Sequence, residues 1–222
     1  GLPAQDRLAW AEGLNVPTVQ DNPNFDVLYW VGCSAAYDRR TMKVARAVAQ
    51  LLARAEVNFA VLGPEERCAG ESARRMGDEF LFQELAMTNI ETFTKHNVKK
   101  IVTHCPHCLN SLRQDYPQFD GHYEVVHHGQ FLGELVAAKK LKAAAVMNES
   151  VTYHDPCYLA RVNGITEAPR KLLPEIKEMP RSRCQTACCG AGGGRMWFDD
   201  AAEERIGQSR ITEALQTKAQ TV

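Results

Sequence analysis

Three apolar stretches of strand length run forward into cysteine. Asp26 to Val31 leads to Gly32-Cys33, Val57 to Leu62 leads through Gly63-Pro64 to Cys68, and Ile101-Val102-Thr103 leads to His104-Cys105-Pro106-His107-Cys108. Helical periodicity fills the intervals. Val44, Val48, Leu51 and Leu52 recur at the spacing of one buried helical face, which predicts a helix over 36–55, and a longer helix is expected over about 73–95. A helix to about Tyr116, a strand near Val125 and a helix over 130–139 follow. Strands that alternate with helices of about ten or more residues predict βαβ units and a mostly parallel sheet. In such a sheet the C-terminal ends of the strands line one edge, where ligands bind. Cys33, Cys68, Cys105 and Cys108 are therefore expected to converge there.

Composition narrows the function. Among 222 residues, 26 Lys and Arg stand against 27 Asp and Glu for a net charge of −1. That gives no electrostatic reason to bind nucleic acid or an anionic membrane. No apolar run approaches the roughly 18 residues of a membrane span, and nothing near Gly1 reads as a signal peptide. Eight cysteines without secretory marks point to metal or redox chemistry rather than a disulfide scaffold. The first residue is glycine, so the chain is expected to be part of something longer.

The pattern then restarts. Ser150-Val151-Thr152-Tyr153-His154 reads as a strand running into Asp155-Pro156-Cys157; helical segments over 166–173, Cys188-Cys189-Gly190 and a helix over 201–217 follow. Setting Cys68-Ala69-Gly70 on Cys189-Gly190 gives an offset of 121 residues, which brings Ile101 onto Val222 and would bring a second C-x-x-C to positions 226 and 229. The expected organisation is a lead-in over 1–25, with a short helix from Ala4 to Gly13, a first cysteine repeat over 26–148, and a second over 149–222 that stops before its C-x-x-C. The fold expected is α/β, with two pseudo-repeated βαβ (Rossmann-like) halves, parallel sheets and cysteine sites at strand C-terminal ends.

Four thiolates at the first edge suit a tetrahedral zinc ion or an iron–sulfur cluster. Cys105-Pro106-His107-Cys108 at a helix start also resembles the active site of thioredoxin-fold disulfide oxidants, but here it is the third element of a cysteine series. In the second repeat, adjacent Cys188 and Cys189 precede Gly190, Gly192, Gly193 and Gly194. Neighbouring thiols cannot easily chelate one small ion, but they can reach different irons of one cluster. The glycines let backbone N–H groups approach an anionic centre. Their spacing departs from G-x-G-x-x-G, against a dinucleotide loop.

Cys157, the thirty residues after it, and Cys188-Cys189-Gly190 with its glycine tail resemble the CCG (cysteine-rich) domain of the heterodisulfide reductase and iron–sulfur oxidoreductase family, C-terminally incomplete. The resemblance covers about residues 26–222. It implies an iron–sulfur oxidoreductase subunit. Its electrons would move to or from a disulfide, a quinone pool or a flavoprotein, through a non-cubane 4Fe–4S cluster that a complete motif holds with five cysteines. Cys157, Cys188 and Cys189 are the ligands it implies, with Gly190 at the cluster and His154 as a neighbouring donor or proton carrier. In the first repeat Arg67-Cys68-Ala69-Gly70 has lost one thiol of the pair. Zinc or a conventional 4Fe–4S cluster is expected there on Cys33, Cys68, Cys105 and Cys108. Partners implied are other redox subunits or fused ferredoxin-like, flavoprotein or quinone-linked membrane domains. The location implied is cytoplasmic, at a membrane face through partners. The rival reading is a metal-stabilised scaffold or partner-docking subunit with no catalysis. His104 and His107 are surplus to four thiolates, His127-His128 starts a helix, and Cys184 lies outside the repeat. Arg195, Met196 and Trp197 read either as a cover over the cluster or as helix-start packing.

Overall fold

The computed structural model describes residues 6–142, 149–173, 175–199, 201 and 204–222. Four strands, β1 (Val27–Trp30), β2 (Phe59–Ala60), β3 (Lys100–Thr103) and β4 (Glu124–His127), form one all-parallel sheet in the order β2-β1-β3-β4. Leu28 lies between Ala60 and Ile101, and Thr103 lies between Trp30 and His127.

All four β1 residues are buried because both faces of the sheet are covered. Val27 and Tyr29 pack with Val48 and Leu52 of α2 (Arg39–Arg54) and with Phe131 and Leu135 of α6 (His128–Ala137). Leu28 and Trp30 point the other way, onto Phe82 and Phe93 of α4 (Glu79–Lys95) and onto Leu109 of α5 (Pro106–Asn110). Successive strand residues thus feed two cores.

Several expected helices are subdivided. The 36–55 helix is α1 (Gly32–Tyr37) followed by α2, because Asp38 adopts an extended backbone and its carboxylate accepts the N–H groups of Arg40 and Thr41. The 73–95 helix is α3 (Glu71–Arg75) and α4, separated where Gly77 has φ 92° and Asp78 caps Leu81. Beyond α5 the chain tightens into a π turn and a 3-10 turn. The lead-in forms only a 3-10 turn, Ala9–Ala11, while residues 1–5 of that expected helix lie outside the described residues.

After α6 the strand expected at 150–154 is reduced to single bridges. Val151 pairs in parallel with Ile176 on one side and Thr221 on the other. That order copies β2-β1-β3, but the ladder stops because the next groups bond elsewhere. The Asp155 carbonyl accepts from Thr186 Oγ1, and its carboxylate takes Arg170 and the Arg183 N–H. The short helices α7 (Glu167–Arg170) and α8 (Ile206–Gln216) complete the chain; positions 202 and 203 of the expected 201–217 helix lie outside the described residues. Leu159 and Ile165 insert into the Leu28–Trp30 core, so the two halves share apolar packing.

Candidate metal and redox centre

In the sheet order β2-β1-β3-β4, the connections from β1 lead first to one side and then to the other, so the topological switch lies between β1 and β3. Cys33 stands just beyond β1 at the start of α1, and Cys105 stands just beyond β3 as the N-cap of α5. Cys108, one turn into α5, and Cys68, in the loop beyond β2, complete the set. The Cys33 thiol hydrogen-bonds to Cys68 and the Cys108 thiol to Cys105. In each pair the donor holds its proton, so Cys33 and Cys108 are pushed up, while Cys68 and Cys105 are pulled down toward thiolate. Gly70 N–H adds to the pull on Cys68, and the N–H groups of His107 and Cys108 at the start of α5 add to that on Cys105. Gly32 has φ 79°, and a Cβ there would lie 3.3 Å from Cys108 Sγ; the glycine permits the approach of the β1 end to α5.

The supports of this set were not legible as such. Arg7, from the lead-in, forms a buried ion pair with Glu66. The Glu66 carboxylate also accepts Val31 N–H at 3.0 Å and Gly32 N–H at 2.8 Å, capping the turn that carries Cys33. Asn89 of α4, fully buried, donates to the Cys68 carbonyl and to Tyr116 Oη, each at 3.0 Å, and accepts Arg67 N–H. These pin the Cys68 loop.

The second set forms at the equivalent edge. Cys157 follows the Val151 bridge, and its thiol is raised first by burial and then by Cys188 and Cys189 beside it. Gly190 N–H lies 3.3 Å from Cys188 Sγ, as Gly70 N–H lies 3.4 Å from Cys68 Sγ, and the two glycines have φ 79° and 83°. The structural equivalence is therefore Cys68 with Cys188, an offset of 120 rather than 121, and the thiol missing from the first half is the counterpart of Cys189, replaced by Ala69.

The remaining candidates scatter. His154 Nδ1 accepts from Arg210 Nε, and burial, then Arg210, lowers its basicity. His104 Nδ1 meets Tyr29 Oη at 2.9 Å, and His127 caps α6 through Gly129 N–H. His107 Nδ1 lies 3.2 Å from Glu71 Oε1. Exposed Cys184 donates to the Ala160 carbonyl. Arg195 and Met196 sit in a 3-10 turn with Met196 exposed, and the Trp197 side chain lies outside the described residues. Among the described residues no group of three or more Cys, His, Asp or Glu is already arranged to hold one metal ion. The thiols are organised as pairs, soft donors with one member of each first-set pair biased toward thiolate. That donor chemistry fits zinc or iron–sulfur ligation at the first set. At the second set three thiols and an N–H directed at sulfur fit part of a cluster's ligand shell.

A parallel α/β sheet with thiols gathered at its switch point and a glycine-turned cysteine pair defines a cysteine-rich α/β module. The chain belongs to the cysteine-rich (CCG) domain family, whose model matches residues 27–113 and 151–222. It is 43% identical over 227 aligned residues to the probable iron-sulfur-binding oxidoreductase FadF of Bacillus subtilis, covering 97% of this chain and 32% of that protein. It is 42% identical over 200 residues to the EtfAB:quinone oxidoreductase of Syntrophomonas wolfei, covering 87% and 28%. With a subunit of the dihydromethanophenazine:CoB--CoM heterodisulfide reductase of Methanosarcina barkeri it shares 37% over 227 residues, covering 97% and 54%. The chain thus spans between about a quarter and about a half of the length of these curated relatives. Among the described residues no helix is long and apolar enough to cross a membrane.

Proposed function

We propose that this chain is the cysteine-rich module of an iron–sulfur oxidoreductase, an electron-transfer subunit or domain. Cys157, Cys188 and Cys189 contribute ligands to a non-cubane 4Fe–4S cluster, and Gly190 brings backbone N–H groups against its sulfurs. The observation that carries the reading is the Cys188-Cys189-Gly190 turn. Its positive φ directs an N–H at sulfur 3.3 Å away and leaves a second, exposed thiol beside it. When bound, the cluster accepts and releases single electrons. The chain's own residues place it: Gly190 N–H stabilises thiolate at Cys188, and Arg210 and Asp155 anchor the segment leading to Cys157. Hydrogen bonds to the sulfurs set the potential.

The relatives' names support this reading: an iron-sulfur-binding oxidoreductase, a quinone oxidoreductase and a heterodisulfide reductase. Cys33, Cys68, Cys105 and Cys108 hold zinc or a conventional 4Fe–4S cluster in a mainly structural role. The partners are redox proteins of ferredoxin, flavoprotein or quinone-linked membrane type, either as subunits or as fused domains, and the module works on the cytoplasmic side against a membrane through them.

Anaerobic iron, sulfide and zinc analysis of the full-length protein, with EPR, tests the proposal. About four irons with an EPR signal on oxidation or reduction, lost in a Cys189→Ser variant, are expected. One zinc and no iron would overturn it in favour of a second reading, a metal-stapled docking scaffold. That reading draws on the better-formed sheet around the four-thiol first set and the three thiols of the second.

A further inference from the structure

His107 lies between Cys105 and Cys108 of the first thiol set, yet its imidazole is packed by the second half. The ring of Tyr158, the residue after Cys157, stands 4.5 Å from it, centroid to centroid, at an interplanar angle of 47°. Glu71 Oε1 lies 3.2 Å from its Nδ1, and Tyr158 hydrogen-bonds to the same, almost fully buried carboxylate. The guanidinium of Arg75 lies over the outer side of the Tyr158 ring. On the remaining side is the glycine loop after Cys188-Cys189: a Cβ built at Gly192 would sit 2.8 Å from His107 Cε1 and 3.4 Å from Nε2. Gly192 lacks the positive φ of Gly190, Gly193 and Gly194. Backbone conformation therefore does not demand glycine there; the imidazole does. The same loop rests on α3, where a Cβ at Gly194 would meet Met76 Sδ at 2.6 Å.

We propose that His107 is a positioning residue for the Cys188–Cys189 loop, so that one imidazole, clamped by Glu71 and Tyr158, couples the geometry of the two thiol sets. Ligand binding at Cys105 and Cys108 fixes the first turn of α5, which fixes the ring, which fixes the floor on which Gly192 lies. The physical basis is close packing: a ring held on three sides transmits displacement, because no neighbour has free volume to absorb it. The coupling belongs to the polypeptide and holds whether or not the second set carries iron. Only its consequence for electron transfer rests on the proposed cluster ligands.

Site-resolved alkylation tests it without reference to activity. The full-length protein is labelled with iodoacetamide anaerobically, as isolated and after chelation, and each cysteine is quantified by mass spectrometry. In the chelated protein, Gly192→Ala raises labelling of Cys188 and Cys189 by about five-fold or more, an interaction of ordinary size for residues in contact. Exposed Cys184 serves as the unchanged internal control. Adding His107→Ala removes the ring that the new methyl strikes, so the double variant labels closer to wild type than Gly192→Ala does alone. His107→Ala by itself raises labelling, whereas His107→Phe, which keeps a ring in the slot, stays within about two-fold of wild type. Effects of the two substitutions that simply multiply, or wild-type labelling in Gly192→Ala, would overturn the coupling. If Gly192→Ala does not fold, the contrast of His107→Ala with His107→Phe decides it, and equal labelling in the two overturns the proposal. An iron-free protein that gives the expected labelling removes the cluster and leaves the coupling in place.

Discussion

Arg210 Nε donates a hydrogen bond to His154 Nδ1 at 2.8 Å, joining α8 to the segment that leads into Cys157. The same guanidinium donates to the Arg181 carbonyl at 2.8 Å, to Glu213 Oε2 at 2.6 Å and to Thr186 Oγ1 at 3.4 Å, and the residue is only 4% exposed. Arg210→Met leaves these acceptors without their donor. A loss of about 3 kcal/mol is expected, the scale for breaking a buried charged network by removing one partner. Urea unfolding measures it, and an unshifted midpoint would show that Arg210 does not anchor the second half.

Arg7 makes the corresponding link in the first half. Arg7→Met strands the Glu66 carboxylate, which is 2% exposed, and should cost about 3–5 kcal/mol. Because Glu66 also caps the turn carrying Cys33, alkylation of Cys33 should rise with it. Denaturation and Cys33 labelling are read on the same samples; loss of stability without faster labelling would separate the ion pair from the thiol site.

Acid should unfold the chain. Burial pushes His104 and His127 down to about 3 and His128 down to about 4, from ordinary values of 6.5. Below pH 6.5 the unfolded chain takes up protons that the folded chain refuses. Stability is therefore full above that pH and falls as pH drops from 6.5 toward 4. Each histidine adds up to about 1.4 kcal/mol per pH unit to the slope. His128→Gln should remove about a third of the slope contributed by these three histidines, as measured by urea melts at stepped pH. A flat profile from pH 7 to 4.5 would contradict the burial of these rings.

Gly190→Ala tests the second turn. Alanine is strained at φ 79°, and its Cβ would lie 3.1 Å from Ile206 Cβ and 3.2 Å from Gly207 N. A local cost of about 1–2 kcal/mol is expected from the backbone alone. Iron bound per chain should fall while far-UV circular dichroism stays the same; full iron occupancy would remove Gly190 from the site.

Cys189→Ser should behave differently. Its thiol is exposed in the chain by itself, so unfolding of the metal-free protein should move by less than about 0.5 kcal/mol. The EPR spectrum should change or vanish. Unchanged electron transfer in this variant would sink the ligand assignment.

The parallel strands were legible because Val27–Trp30 and Lys100–Thr103 are buried on both faces and so read as continuous apolar runs. The capping aspartates Asp38 and Asp78 were visible signals, but the surrounding apolar periodicity ran across both breaks and masked them. The strand at 150–154 was overestimated for the opposite reason. Its residues have strand propensity, but their backbone and side-chain groups found partners outside a ladder. Arg7, Glu66, Asn89 and Arg210 carry no local pattern at all. Each matters through a residue at least 21 positions away.

What the sequence by itself determined was the recurrence of strand, cysteine and helix, which places thiols at one sheet edge, and the CCG turn, whose glycine spacing is a local backbone requirement. Tertiary structure alone decided which thiols pair, that Cys188 rather than Cys189 is the counterpart of Cys68, and that the imidazole of His107 sits between the two sets. The division follows the range of the forces. Apolar periodicity and φ preferences act between near neighbours, and a single chain displays them. Buried ion pairs, ring packing and close backbone approach depend on segments far apart in sequence, which only the folded chain brings within reach.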